Sequence, residues 1–391
     1  MDPKQSISDG YLQRMNDRST EVVFCRNCVM SNQRPRIVFD DNGVCSACNY
    51  AYRKTNEIDW DQRKQEFLYL LDRYRSNSGD YDVIVPCSGG KDSSAVAHRL
   101  KHEYGMHPLT VTFSPLIYTD NGWGNLRRFI DSGFDNILFT PDGRVYRQLC
   151  RLGFEVMGDP FQPFIYGVKS SPLQVALRYG IPLIMYGENG EVEYGGDGKN
   201  EDSLTHDYGD DLTTHYFSGI NAEDWIEYGI SSKDLQPFMP PDQRALDNLG
   251  VKCAFFGYGH KWVPQENYYY AAEHTGFQAN VDGRSEGTYS KYASLDDRID
   301  GIHYYMAFIK FGIGRATSDA THEIRDGHLT REEGIALVRR YDSEFPEKNF
   351  KQFLEYTSLN EERFCEVVDN FRLPHIWEKE NGRWRLKHQV E

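Results

Sequence analysis

Ser88-Gly89-Gly90-Lys91-Asp92-Ser93-Ser94 stands between a short apolar run, residues 81–86 (YDVIVP), and a stretch of helix-like composition, residues 95–102. The apolar run has the length of a buried strand, so the order strand, glycine turn, helix N-terminus is expected. That order is the standard geometry for holding phosphate. Glycines let the backbone come close, and amide N–H groups at the helix start can surround phosphate oxygens. Ser93 and Ser94 add hydroxyl donors, and Asp92 can reach a magnesium ion. The spacing is not G-x-x-x-x-G-K followed by Ser or Thr, so the loop is not of the Walker type. The plainer alternative is a Gly-Gly turn capped by Asp or Ser.

Outward from the loop the chain keeps alternating. Residues 109–113 (LTVTF), 136–139 and 182–186 read as further strands, and 126–132 and 172–179 as helices. The pattern predicts an α/β protein with a doubly wound parallel sheet, whose ligands sit beyond the carboxyl ends of the strands. Upstream, Cys25, Cys28, Cys45 and Cys48 form two CxxC pairs separated by 16 residues, a zinc-ribbon spacing. Residues 37–39 are expected as a strand and Asp41-Asn42-Gly43 as the turn of the hairpin between the pairs. Disulfides are the rival reading, although nothing marks an oxidising compartment. Four protein ligands would close the site and make the zinc structural.

Composition sets the limits. A chain of 391 residues, 39% hydrophobic and 14% aromatic, suits one large domain or two modest ones with a packed core. No window approaches the roughly 18 consecutive apolar residues of a membrane span. The first twenty residues lack the apolar stretch of a secretory signal, so a cytoplasmic location is expected. The net charge of −15 is uneven, because residues 186–247 hold 3 basic groups against 15 acidic ones. Nucleic-acid binding needs clustered Lys and Arg, so this balance argues against it. The acidic segment is expected to be a lid or a docking surface for a partner, with a solvated loop as the alternative. The expected organisation is a polar tail over 1–20 and a zinc knuckle over 21–55. A nucleotide-binding α/β domain over 56–265, with 186–247 as an insertion, precedes a mainly helical region over 266–391.

The string SGGKDS resembles the loop of the PP-loop ATP pyrophosphatases, whose fold is of the adenine nucleotide alpha hydrolase type. These enzymes cleave ATP between the α and β phosphates, pass AMP to a substrate oxygen and release pyrophosphate. The resemblance implies that Ser88, Gly89, Gly90, Lys91, Asp92, Ser93 and Ser94 bind ATP, with Mg2+ on Asp92. Later strings narrow the family: Tyr186-Gly187-Glu188-Asn189, Glu193-Tyr194-Gly195-Gly196, Arg284-Ser285-Glu286-Gly287-Thr288-Tyr289, and Lys310-Phe311-Gly312-Ile313-Gly314-Arg315-Ala316. Glu323-Ile324-Arg325 follows. With the knuckle and the loop, these look like the bacterial N-acetyl-sugar amidotransferases of O-antigen and flagellar-glycan biosynthesis. The resemblance implies ATP-dependent, AMP-forming conversion of an acetamido group on a nucleotide-activated sugar to acetamidino. The amide oxygen would attack the α-phosphorus to give an O-adenylyl imidate, and ammonia would then displace AMP. Ammonia would come from a glutaminase subunit, with a cyclase-like channel subunit, and no nucleic acid or membrane would take part.

Within that frame Glu188 can bind magnesium or position ammonia, and Asn189 beside it can contact substrate. Lys310 and Arg315 flank a glycine-containing turn and can clamp the α-phosphate or a substrate anion. Asp92, Glu188, Lys310 and Arg315 are therefore the expected catalytic groups, and Arg284, Glu286 and Tyr289 the expected sugar contacts. Ser294-Leu295-Asp296-Asp297 reads as a helix start that sets Asp296 and Asp300 on one face, for metal binding or helix-dipole pairing. Thr330-Arg331-Glu332-Glu333 reads as a capping box on a helix ending near Arg340. Cys87 reads as a core residue. Cys150 and Cys253 are the pair that the alternative reading, a PP-loop tRNA thiolase, would use. A non-catalytic zinc-and-nucleotide scaffold is the third reading.

Overall fold

Strands buried on both faces of a parallel sheet need continuous apolar runs, and the chain supplies them in order. They are β1 (Val83–Pro86), β2 (Pro108–Phe113) and β4 (Leu183–Tyr186), while β3 (Asn136–Phe139), at the sheet edge, is only partly covered. The two-residue β5 (Thr205–His206) and then β6 (Lys252–Phe255) complete the sheet. The computed structural model describes residues 3–16, 19–196, 198, 200–206 and 212–391. Its six-stranded sheet has the order β3-β2-β1-β4-β6-β5, parallel throughout except for β5. Ile84 of β1 lies opposite Leu109 of β2 on one side and Ile184 of β4 on the other. The chain builds outward from β1 through β2 and β3, then returns to lay β4 on the opposite side of β1. The strand order therefore reverses between β1 and β4, where an open α/β sheet forms its ligand crevice.

Alternate side chains of the strands feed two cores. Val83, Val85 and Met185 pack with Leu100 and Phe129 on one face, and Ile84, Val111 and Ile184 with Leu173 on the other. A larger cluster joins Phe154 to Met306, Phe353 and Phe364. The C-terminal helices thus share a core with the helix Gly143–Met157 beside the sheet.

Four local expectations need correction. The polar tail contains a helix, Pro3–Asn16, whose Tyr11 and Met15 are buried in that larger cluster. Residues 37–39 form a single bridge, Phe39 to Cys45, because the paired CxxC turns and the Asp40 turn leave no length for a ladder. Residues 294–297 are not a helix start: Ser294 has a φ of 56° and the helix begins at Asp300. The mainly helical C-terminal region ends in a hairpin, β7 (Trp377–Glu380) and β8 (Arg383–Leu386). Asn381 and Gly382, both at positive φ, form its two-residue turn. Among the described residues no helix is long and apolar enough to cross a membrane.

Candidate functional site

The helix after β1, Lys91–His102, starts at Gly90 with no side-chain cap. Its first amides are therefore open to a ligand. Gly89 cannot be replaced cheaply: its φ is 82°, and a Cβ there would lie 2.5 Å from the Leu126 backbone. Ser88 Oγ donates to Asp296 Oδ2 at 2.8 Å and accepts the Gly90 amide at 3.3 Å, which fixes the turn. Ser93 Oγ donates back to the Gly90 carbonyl at 3.3 Å, while the buried Ser94 hydroxyl has no partner. Asp92 accepts from Lys91 Nζ and, at 3.0 Å, from Asn267 Nδ2.

Glu188 follows β4 by two residues and so stands across the crevice from the loop. Burial and the Asp92 charge push its pKa up to about 7. Burial also raises Asp296 to about 6 and Asp297 to about 7, although Asp297 accepts the Ile117 amide at 3.2 Å and the Ile299 amide at 2.9 Å. A cavity of about 390 Å³ is lined by these carboxylates and the loop, with Lys91 and Arg315 as its cations. Carboxylates gathered at one cavity are a donor set for a hard divalent cation, so Asp92 and Glu188 fit magnesium. The uncapped helix start and the glycine cradle likewise fit a polyphosphate.

Arg315 arrives from another element. It opens the helix Arg315–Arg325, whose N-terminus is satisfied by Asp342: the Gly314 amide donates at 3.1 Å and the Thr317 amide at 2.9 Å. Asp319 at 3.2 Å and the Tyr304 hydroxyl hold the guanidinium. A second cavity, about 740 Å³, opens on the other side of Arg315 and shares Lys91, Glu188 and Tyr292 with the first. Both volumes suit small-molecule sites.

Residues 286–391 match the family model described as LPS biosynthesis protein WbpG-like, C-terminal domain. This C-terminal region is thus similar to the WbpG-like domain. That match agrees with the O-antigen family resemblance of the motifs. No curated protein matches the chain. The WbpG-like domain provides Arg315, Asp319, His322 and Glu323 to the larger cavity, opposite Glu188 and Lys91 from the sheet. It also carries Tyr289, whose hydroxyl donates to Glu323 at 3.0 Å instead of lining either cavity.

The other expected residues are dispersed. Lys310 points into the core, donating to the Met157 carbonyl at 3.0 Å, because Gly312 turns the chain between it and Arg315. Arg284 pairs with Glu344 at 2.7 Å, and Arg284 and Glu286 line a separate groove of about 480 Å³. Asn189 caps the short helix Gly190–Glu193. Cys150 is fully buried with its thiol pushed well up by burial, and Cys253 is buried in β6. Neither cysteine lines the two cavities. Sequence reasoning missed Arg34, Lys169 and His322 of the larger cavity, Asn267, which donates to Asp92, and Asp319, which holds Arg315, since none of them stands in a recognisable motif.

The knuckle is joined to this site. Cys25 and Cys48 Sγ lie 3.8 Å apart, as do Cys28 and Cys45 Sγ, and all four lie within 4.8 Å of one another. Four thiolates about 2.3 Å from one zinc would be about 3.8 Å apart, so the group fits a tetrahedral ion. A disulfide needs about 2.0 Å, which removes the rival reading. Arg331 donates to the carbonyls of Cys28 and Cys25 at 3.1 and 3.3 Å, tying the knuckle to the WbpG-like domain. Arg34 donates to the Gly195 carbonyl at 2.9 Å and lines the larger cavity.

The acidic segment is partly accounted for by the same contacts. Glu191 pairs with Arg36, Glu193 with Lys54, Glu201 with Arg53, and Asp202 with Arg53 and Arg63. Asp224, Asp234 and Asp242 sit at helix starts. Four of the fifteen acidic groups therefore complement basic groups of residues 36–63. Asp197, Asp207, Asp210 and Asp211 lie outside the described residues.

Proposed function

We propose that the protein is an ATP-dependent amidotransferase of LPS biosynthesis with a PP-loop fold, converting an acetamido group of a nucleotide-activated sugar to acetamidino. The observation that carries this reading is the meeting, at the β1–β4 crevice, of an uncapped glycine loop with Glu188 and with Arg315 of the WbpG-like domain. An amide carbon is a poor electrophile and its oxygen a poor leaving group, so the oxygen must first be activated. In the proposed reaction that oxygen attacks the α-phosphorus of ATP, pyrophosphate leaves, and ammonia then adds to the imidate carbon and expels AMP.

Each residue has a task in this scheme. The amides of the Ser88–Ser94 loop and Lys91 hold the departing pyrophosphate. Arg315, fixed by Asp319 and Tyr304, offers its planar fork to the α-phosphate from the wall shared by the two cavities. Asp92 and Glu188 would hold magnesium, which supplies charge neutralisation on the phosphates. The smaller cavity takes ATP and the larger takes the sugar, so the acetamido oxygen reaches phosphorus beside Arg315. Cys25, Cys28, Cys45 and Cys48 would hold zinc and so fix the knuckle that presents Arg34 to the sugar side. Ammonia would come from a glutaminase partner, through a channel subunit.

The test is nucleotide product analysis with N-acetylated nucleotide sugars and ammonium. AMP and pyrophosphate formed only when sugar is present support the proposal. ADP, or AMP formation indifferent to sugar, would overturn it.

A further inference from the structure

His322 lies on the helix Arg315–Arg325, two turns beyond Arg315, and lines the larger cavity. The residue is 6% exposed, and its Nε2 has no hydrogen-bond partner. A buried polar atom without a partner is rare in a folded protein and calls for a ligand or a chemical role. Its neighbours reinforce that. The ring of Tyr194 packs edge-on against the imidazole at 4.6 Å, and the Tyr194 hydroxyl donates to Glu188 at 3.3 Å. His322 is thus one side chain away from the group that faces the loop.

The cations nearest the ring come from four elements, and Glu188, Asp319, Glu323 and Asp326 line the same cavity. Arg325 is on its own helix, Lys54 and Arg34 come from the knuckle side, and Lys91 comes from the loop. Burial first, and these cations second, hold the imidazole well below its ordinary pKa, so it is neutral with a lone pair available.

We propose that His322 is the general base of the second half of the reaction, taking the proton that the attacking ammonia must lose. This rests on the amidotransferase reading above. The nitrogen lone pair forms the C–N bond to the imidate carbon. The C–O bond to AMP breaks, and its electron pair stays on the AMP oxygen. One N–H proton passes to the imidazole, and the strongly basic amidino product takes it up from there. Entry of the phosphates offsets the positive charge of Lys91, so the base strengthens when substrate is bound.

The experiment measures two rates in each protein. One is sugar-dependent exchange of labelled pyrophosphate into ATP, which needs no ammonia. The other is ammonium-dependent formation of the amidino sugar. For both His322→Asn and the longer His322→Gln, exchange should stay within about twofold of wild type. Amidino-sugar formation should fall about 100-fold or more, the range of a lost general base. Added imidazole should restore part of it. An equal fall in both rates, or wild-type amidine formation in either variant, would overturn the proposal. A wild-type protein with no sugar-dependent exchange would instead refute the amidotransferase reading, and this inference with it.

Discussion

Lys54→Met should destabilise the fold more than loss of any exposed ion pair. Lys54 Nζ lies 2.9 and 3.2 Å from the two Glu193 carboxylate oxygens and 2.9 Å from the Trp262 carbonyl, with both side chains almost fully buried. Removing one partner of such a pair leaves the other charge uncompensated, at a cost of about 3–5 kcal/mol. The abandoned Trp262 carbonyl adds about 1 kcal/mol. Unfolding entropy of about 2.1 cal/mol/K per residue gives about 0.8 kcal/mol/K for 391 residues. The midpoint of a thermal scan should therefore fall by about 5–7 °C. Lys54→Met combined with Glu193→Gln removes the stranded charge and should recover about half of the loss. Lys351→Met, at an exposed pair 3.9 Å from Glu355, serves as control and should move the midpoint by less than about 1 °C. A Lys54→Met midpoint close to wild type, or a double variant no better than the single, would refute the view that this bridge clamps the loop after β4 to the knuckle.

Three further outcomes are expected. Gly89→Ala forces a Cβ against the Leu126 backbone at positive φ, so nucleotide affinity should fall steeply and stability by about 1–3 kcal/mol; calorimetric titration and thermal scans check both. Glu188, Asp296 and Asp297 bind protons more tightly folded than unfolded, so their stabilising effect is present in acid and lost as pH rises through about 6 to 7. Protein free of nucleotide and divalent cation should then melt higher near about pH 6 than near about pH 8, and Glu188→Gln should flatten that difference. Metal analysis should find zinc bound one to one, and Cys45→Ser should abolish it and lower the unfolding midpoint markedly.

Much of the sheet was legible because fully buried parallel strands must be apolar throughout, as in VIVP and LTVTF. The glycine loop and the two CxxC pairs were legible because backbone approach and metal ligation each restrict residue type at fixed spacing. The rest depended on tertiary placement. Ser294-Leu295-Asp296-Asp297 has the composition of a helix start, yet the segment stays irregular: Asp296 accepts from Ser88 and Asp297 from the backbone of residues 116, 117 and 299. Lys310 and Arg315 are close in sequence, but Gly312 sends one into the core and the other to the crevice. His322 and Arg34 belong to no motif and reach one cavity only through packing of the WbpG-like domain and the knuckle. The acidity of residues 186–247 was visible as a total, but its partners among Arg36, Arg53, Lys54 and Arg63 were not.

The most direct measurement follows an oxygen atom. An N-acetylated nucleotide sugar carrying heavy oxygen in its acetamido carbonyl would be incubated with the protein, ATP, magnesium and ammonium. Mass spectrometry would then locate the label. Activation through an O-adenylyl imidate predicts that the heavy oxygen moves to the phosphate of AMP while the sugar exchanges it for NH. Label retained in the sugar, or lost to water with none in AMP, would contradict the mechanism assigned to the loop, Glu188 and Arg315.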